Sequence, residues 1–185
     1  MPLLNTNEHY GTLTKLFHWI VVILFAFQFT AGYTMLSLGK GETALGFSGG
    51  AWFSWHKSMG LIVVAFAVCR LANRTFTNLP DWAPGLSEAD RRMMPVYEKL
   101  LYLTMFFMPV SGYIYVMSGG YGVNFFGMGK LPNPIGKIEE VKIIAKWAHI
   151  VCSYAILAIL ATHLYVVFRH QFVLKTGILK RMLPR

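Results

Sequence analysis

Charge is scarce in this chain. Of its 185 residues 14% are Asp, Glu, Lys or Arg, where a soluble globular domain carries about 25%, so an ordinary water-facing surface is excluded. Acidic residues are the scarcest, eight against seventeen Lys and Arg, giving a formal charge of +9. That excess does not read as a nucleic-acid interface, because the basic residues are spread between apolar blocks instead of gathering on one polar face. Cysteine is nearly absent: Cys69 and Cys152 both stand in apolar runs, which excludes a disulfide scaffold, a redox motif and a zinc site. Repeats and low-complexity segments are missing too, which removes collagenous and disordered classes. What is abundant is apolar, with 55% hydrophobic and 15% aromatic residues and a mean hydropathy of +0.48. The composition is that of a membrane protein.

The apolar runs set the architecture. Residues 16–36 hold no charge over 21 positions, and a helix of that length crosses a hydrocarbon core of about 30 Å. It is too long for a signal peptide and has no small-residue cleavage site, so it is read as part of the mature chain. Four such spans are expected, at about 14–36, 52–73, 97–117 and 144–169, in one domain over 1–185. The fold class is all-α, a transmembrane four-helix bundle. Eleven Lys and Arg fall on the side shared by the termini: Lys15, then Arg70, Arg74, Arg91, Arg92 and Lys99, then Arg169, Lys175, Lys180, Arg181 and Arg185. Six fall on the other: Lys40, Lys57, Lys130, Lys137, Lys142 and Lys146. The positive-inside rule therefore puts both termini in the cytoplasm. Trp19, Trp52, Trp55 and Trp147 stand at span ends, where indole rings anchor at the interface. Between the second and third spans, Pro80, Pro84 and Pro95 read as helix breakers, and Ser87 with Asp90 as a capping box for a short interfacial helix.

Among the apolar runs the titratable groups that stand out are histidines: His18, His56, His149 and His163. Ionisable groups at membrane depth are costly and mark function. His149 and His163 are 14 residues apart on one helix; that spacing leaves a residual rotation of about 40° and a rise of about 21 Å. Both point to the same face, one near each membrane surface. His18 is shallow on the cytoplasmic side and His56 on the outer side, so depth pairs His56 with His149 and His18 with His163. Two imidazoles facing each other, twice, with no carboxylate or thiol to complete either set, suit neither zinc, which takes four ligands or three and a water, nor copper, which favours added sulfur. They suit two b-type haems. No C-x-x-C-H occurs, so attachment would not be covalent. Haem propionates need cations: Lys57 beside His56, and Arg70 or Arg74 on the inner side, are candidates, the two arginines serving equally as membrane anchors. Gly60 and Gly112 would let a porphyrin, or simply another helix, come close to the backbone.

Several motifs resemble the bacterial cytochrome b561 family: F-H-W at 17–19, H-K-S-x-G at 56–60 with Arg70 and Arg74, P-V-S-G-Y at 109–113, the His149/His163 pair and T-G-I-L-K-R-M at 176–182. The resemblance runs from N-E-H-Y-G-T at 7–12 to the tail. It implies a dihaem inner-membrane cytochrome with His18, His56, His149 and His163 as axial ligands, exchanging electrons with quinone, and in one type oxidising superoxide at the outer face and reducing ubiquinone. The chain departs from the pattern at Glu98, where many members carry a histidine eleven residues before the proline of the third helix.

An electron path needs something at each end. Lys137, Lys142 and Lys146, with Lys130 and Lys57, could steer a small anion such as superoxide, although Glu139 and Glu140 weaken that field. The same lysines would alternatively form a solvated loop, or dock an acidic periplasmic redox protein for which the chain is a membrane anchor. Glu98 and His170 are the titratable groups for quinone and proton exchange on the inner side. His170 would alternatively snorkel at the interface. His9 is given no role.

Overall fold

The computed structural model describes residues 2–183; Arg185, counted with the tail charges, lies outside the described residues. Four long helices carry the chain across: α1 Thr12–Ser37, α2 Gly49–Phe76, α3 Glu88–Ser118 and α4 Glu139–Phe168. All four are long and apolar enough to cross a membrane. Large apolar side chains such as Ile23, Phe107, Val151 and Leu164 face outward, as a surface solvated by lipid requires.

Each start has a local cause. Gly11 precedes α1 without a side-chain cap, and the N-terminal segment supplies acceptors instead: Thr12 N–H donates to Pro2 O at 3.0 Å and Leu13 N–H to Leu3 O at 3.1 Å. A Cβ at Gly11 would stand 2.4 Å from the Leu4 carbonyl carbon, so only glycine lets that segment pass. Ser48 caps α2 through the Ala51 N–H. At α3, Ser87 and Asp90 form a complete capping box.

That box does not start a separate interfacial helix. It starts α3 itself, which runs through Pro95 and Pro109 to Ser118, some nine residues before the expected span. Pro95 removes one donor, and the Arg91 carbonyl it leaves free sits among exposed residues at the helix end, where solvent can satisfy it.

The connections fix the two ends of the bundle. A two-stranded hairpin, β1 Thr43–Ala44 with β2 Phe47–Ser48, joins α1 to α2. The α3–α4 connection folds back on α2, where Lys57 Nζ donates to Gly122 O at 3.0 Å and Ser58 Oγ accepts from Phe126 N–H at 3.0 Å. At the opposite end the N-terminal segment, the α2–α3 connection and the tail meet: Asp81 N–H donates to Asn7 O at 2.7 Å, and Trp19 Nε1 to Met182 O at 2.8 Å.

Backbone contact is close between α1 and α2 and between α3 and α4, with a smaller seam between α2 and α3. The core at that seam is Val21, Ala67 and Met105, with Phe25, Phe66, Tyr102 and Phe106 around it. Between α4 and either α1 or α2 the backbones scarcely approach. The helices bearing the histidines face each other across a gap.

Candidate functional site

The half of that gap nearer the β1–β2 hairpin holds His56 from α2 and His149 from α4, their ring centroids 6.2 Å apart and the ring planes at 88°. Both side chains are half-buried. His149 Nδ1 lies 2.9 Å from Met108 O. A carbonyl only accepts, so Nδ1 carries the proton and the Nε2 lone pair is free to bind a Lewis acid. Met108 O also accepts from Ser111 Oγ at 2.8 Å, one carbonyl taking both bonds on its two lone pairs. Ser111 Oγ, 3.4 Å from the same nitrogen, closes the cradle.

Glycines set the clearances. A Cβ at Gly112 would lie 2.8 Å from His149 Cε1, and one at Gly32 3.5 Å from His56 Cε1. The apolar cleft next to the pair is lined by Phe25, Phe29, Phe53, Leu61, Val116 and Ile156. His56 Nδ1 is buried with no hydrogen-bond partner among the described residues, as is Gln28 Oε1, while Gln28 Nε2 donates to His56 O at 3.1 Å.

The half nearer the chain termini holds His18 and His163, within electrostatic reach of each other. Arg70 is within reach of both, its guanidinium 5.8 Å from the Tyr102 ring centroid. Trp19 stands edge-on to His18 at 5.4 Å. Among the described residues no three His, Cys, Asp or Glu side chains converge on one point, so each histidine pair suits a centre that takes two protein ligands. A gap across which the backbones scarcely approach, apolar walls, glycines against the imidazole rings and a pre-set imidazole tautomer all fit a flat apolar macrocycle held between two histidines.

The sequence model of the family described as Prokaryotic cytochrome b561 matches residues 9–185. The chain belongs to the prokaryotic cytochrome b561 family. Cytochrome b561 homolog 2 of Escherichia coli (strain K12) is 27% identical over 189 residues, covering 100% of this chain and 96% of that protein. The family binds haem b, and its membership makes this chain a membrane b-type cytochrome of electron transfer, multi-pass in the bacterial inner membrane.

Within this b561 cytochrome the remaining expected residues separate. Arg74 is not free: its guanidinium forms two hydrogen bonds with Glu98, at 2.6 and 3.1 Å, which leaves Arg70, over the Tyr102 ring, as the arginine near His18 and His163 that has no ion pair among the described residues. Lys57 is held by Gly122 O. Lys142 is paired with Glu139 at 2.8 Å. Lys137 runs its aliphatic stem along Gly120, and Lys130 and Lys146 are exposed.

His170 does not snorkel. It is fully buried in the π-helical turn Arg169–Val173 that ends α4, its Nε2 3.4 Å from Asp90 Oδ1 in the first turn of α3. The Nε2 atom has no partner of hydrogen-bonding geometry among the described residues. His170 ties the ends of two helices together and stands apart from Glu98.

Two features escaped the sequence reading. Gln28 was marked only by being an amide inside a charge-free span, a signal that could have been used. Met108 acts through its backbone carbonyl, which no residue type announces.

Proposed function

We propose that this chain is a dihaem cytochrome that transfers single electrons between superoxide on the outer side of the membrane and ubiquinone, with both termini cytoplasmic. His56 and His149 would hold the outer haem and His18 and His163 the inner one. The observation that carries the reading is the meeting of His56 and His149 across the α2–α4 gap, with His163 fourteen residues further along the same helix. When bound, haem b supplies an iron that accepts and releases one electron at a time.

The protein's own part is placement and charge. The Met108 carbonyl orients His149, Gly112 and Gly32 keep the ring edges clear, and Arg70 offers a cation to an inner propionate. Lys57, though bonded to Gly122 O, stands beside His56 as the outer counterpart. Lys137 and Lys146 draw a small anion toward the outer pair. Two superoxide ions oxidised to dioxygen release the two electrons that, with two protons, convert one quinone to quinol. Glu98, fixed by Arg74, is the carboxylate positioned for proton exchange on the inner side, and Arg74 holds it there.

Purified full-length protein, given superoxide and a soluble ubiquinone with no other protein present, should reduce the quinone. Inertness under those conditions, with activity restored by a soluble periplasmic redox protein, would favour a membrane anchor instead.

A further inference from the structure

A second cavity lies at the opposite end from the hairpin, outside the histidine gap. Its volume is about 310 Å³, and it is walled by the N-terminal segment, the first turn of α1, the α2–α3 connection and the tail. Its walls are pinned. Arg181 donates to Asp81 O at 2.7 Å and lies over the Tyr10 ring at 5.5 Å, and the Asp81–Asn7 and Trp19–Met182 hydrogen bonds close the same junction.

Lys15 lines this cavity and is only 7% exposed. No hydrogen bond or ion pair engages its ammonium among the described residues. Its Nζ is not among the fully buried polar atoms without a partner, so the stem is covered while the charge opens onto the cavity, where an anion can reach it. Lys180 and Arg181 also line it, and among the described residues the hydrogen bonds of Arg181 go to carbonyls alone and no carboxylate pairs with it. Against these stand Asp81 and Glu8, the latter 3.8 Å from His9 Nε2.

The geometry points to a phosphate-binding site in this cavity, with Lys15 as its deep cation. Lys15 immediately precedes the charge-free run 16–36, the depth at which phospholipid phosphates lie. Trp82, Pro2 and Pro84 give it apolar walls, suited to a ligand that continues into acyl chain. The carboxylates of Asp81 and Glu8 disfavour a dianion and can accept from headgroup hydroxyls, so the matching group is a phosphodiester monoanion such as that of phosphatidylglycerol. Free phosphate is the other source of the same chemistry.

The test uses delipidated full-length holoprotein in neutral detergent, titrated separately with phosphatidylglycerol, phosphatidylcholine and inorganic phosphate. Thermal midpoint and bound lipid, by native mass spectrometry, are followed. Saturable stabilisation by phosphatidylglycerol with one lipid retained per chain is expected, and Lys15→Met should weaken it about tenfold while Lys15→Arg retains it. An equal shift with inorganic phosphate alone would support the site and name the free ion as its source. Should Lys15→Met not fold, Lys180→Met at the exposed rim should still weaken binding about threefold. Equal affinity in wild type and variants, or protection by phosphatidylcholine as strong as by phosphatidylglycerol, would overturn the proposal. So would loss of haem absorbance in a folded Lys15→Met protein, because the lysine would then serve the inner histidine pair.

Discussion

His149 on α4 donates its Nδ1 proton to the Met108 carbonyl on α3 over 2.9 Å, and the α3–α4 contact thereby decides which nitrogen of the imidazole faces the gap. A ligand helix alone would leave both tautomers open. The neighbouring turn removes one of them, and Gly112, one turn after Met108, leaves the space in which the ring sits.

Gly112→Ala is therefore expected to disturb the His56–His149 site more than Gly32→Ala does. Its Cβ would lie 2.8 Å from a ring carbon that packing holds in place, an overpacking of about 1–3 kcal/mol. Gly32→Ala places its Cβ at an ordinary 3.5 Å from His56 and should be tolerated. Haem content of the two purified variants checks the contrast: reduced in the first, near wild type in the second.

The pairing of the histidines gives a second expectation. His56→Ala and His149→Ala should each lose one haem, and the same one, as judged by the α-band of the reduced protein and by redox titration. His18→Ala and His163→Ala should lose the other. Loss of different haems from the His56 and His149 variants would separate residues whose rings lie 6.2 Å apart.

Charge steering acquires an internal control. Lys142 is already paired with Glu139 at 2.8 Å, so its outward field is largely cancelled, while Lys146 is exposed. Lys137→Glu and Lys146→Glu should each slow superoxide-driven quinone reduction several-fold at low salt, the effect fading as salt screens it. Glu139→Gln, which releases the Lys142 charge from its partner, should instead speed that reduction. Stopped-flow rates at two ionic strengths measure this; unchanged rates in all three variants would rule out steering.

Glu98 and Arg74 form a bidentate pair whose side chains are 38% and 34% exposed, which limits its contribution to stability to less than about 1 kcal/mol. Glu98→Gln should accordingly shift the thermal midpoint by no more than about 3 °C. If the carboxylate exchanges protons with quinone, the variant should lose quinone reduction several-fold while keeping both haems. A large loss of stability with quinone kinetics intact would make the residue structural.

The spans and the four histidines were legible because each departs from a strong local regularity: a charge-free run of membrane length, and an ionisable ring inside it. The depth of each histidine follows from the rise of a helix and the order of the spans. The start of α3 was less legible, since Pro95 carries the signature of a break while the Ser87/Asp90 box carries that of a start, and near a helix end the box prevails. The engagements of Arg74 with Glu98, Lys57 with Gly122 O and His170 with Asp90 join residues 24, 65 and 80 positions apart. Such contacts follow from how helices and connections dock, and when one partner is a backbone carbonyl the sequence gives no sign of it. Buried Lys15 was hidden for the same reason: in the sequence it is one more positive charge at a span end, and only the folded tail encloses it.

The central claim is that the gap between the helix pairs holds two haems, each between two histidines. Its most direct test is the ratio of haem to polypeptide in purified full-length protein, taken with a reduced-minus-oxidised visible spectrum. The account predicts a ratio near two, with a b-type spectrum that titrates in two steps; a ratio of one, or a colourless preparation from haem-replete cells, would contradict it.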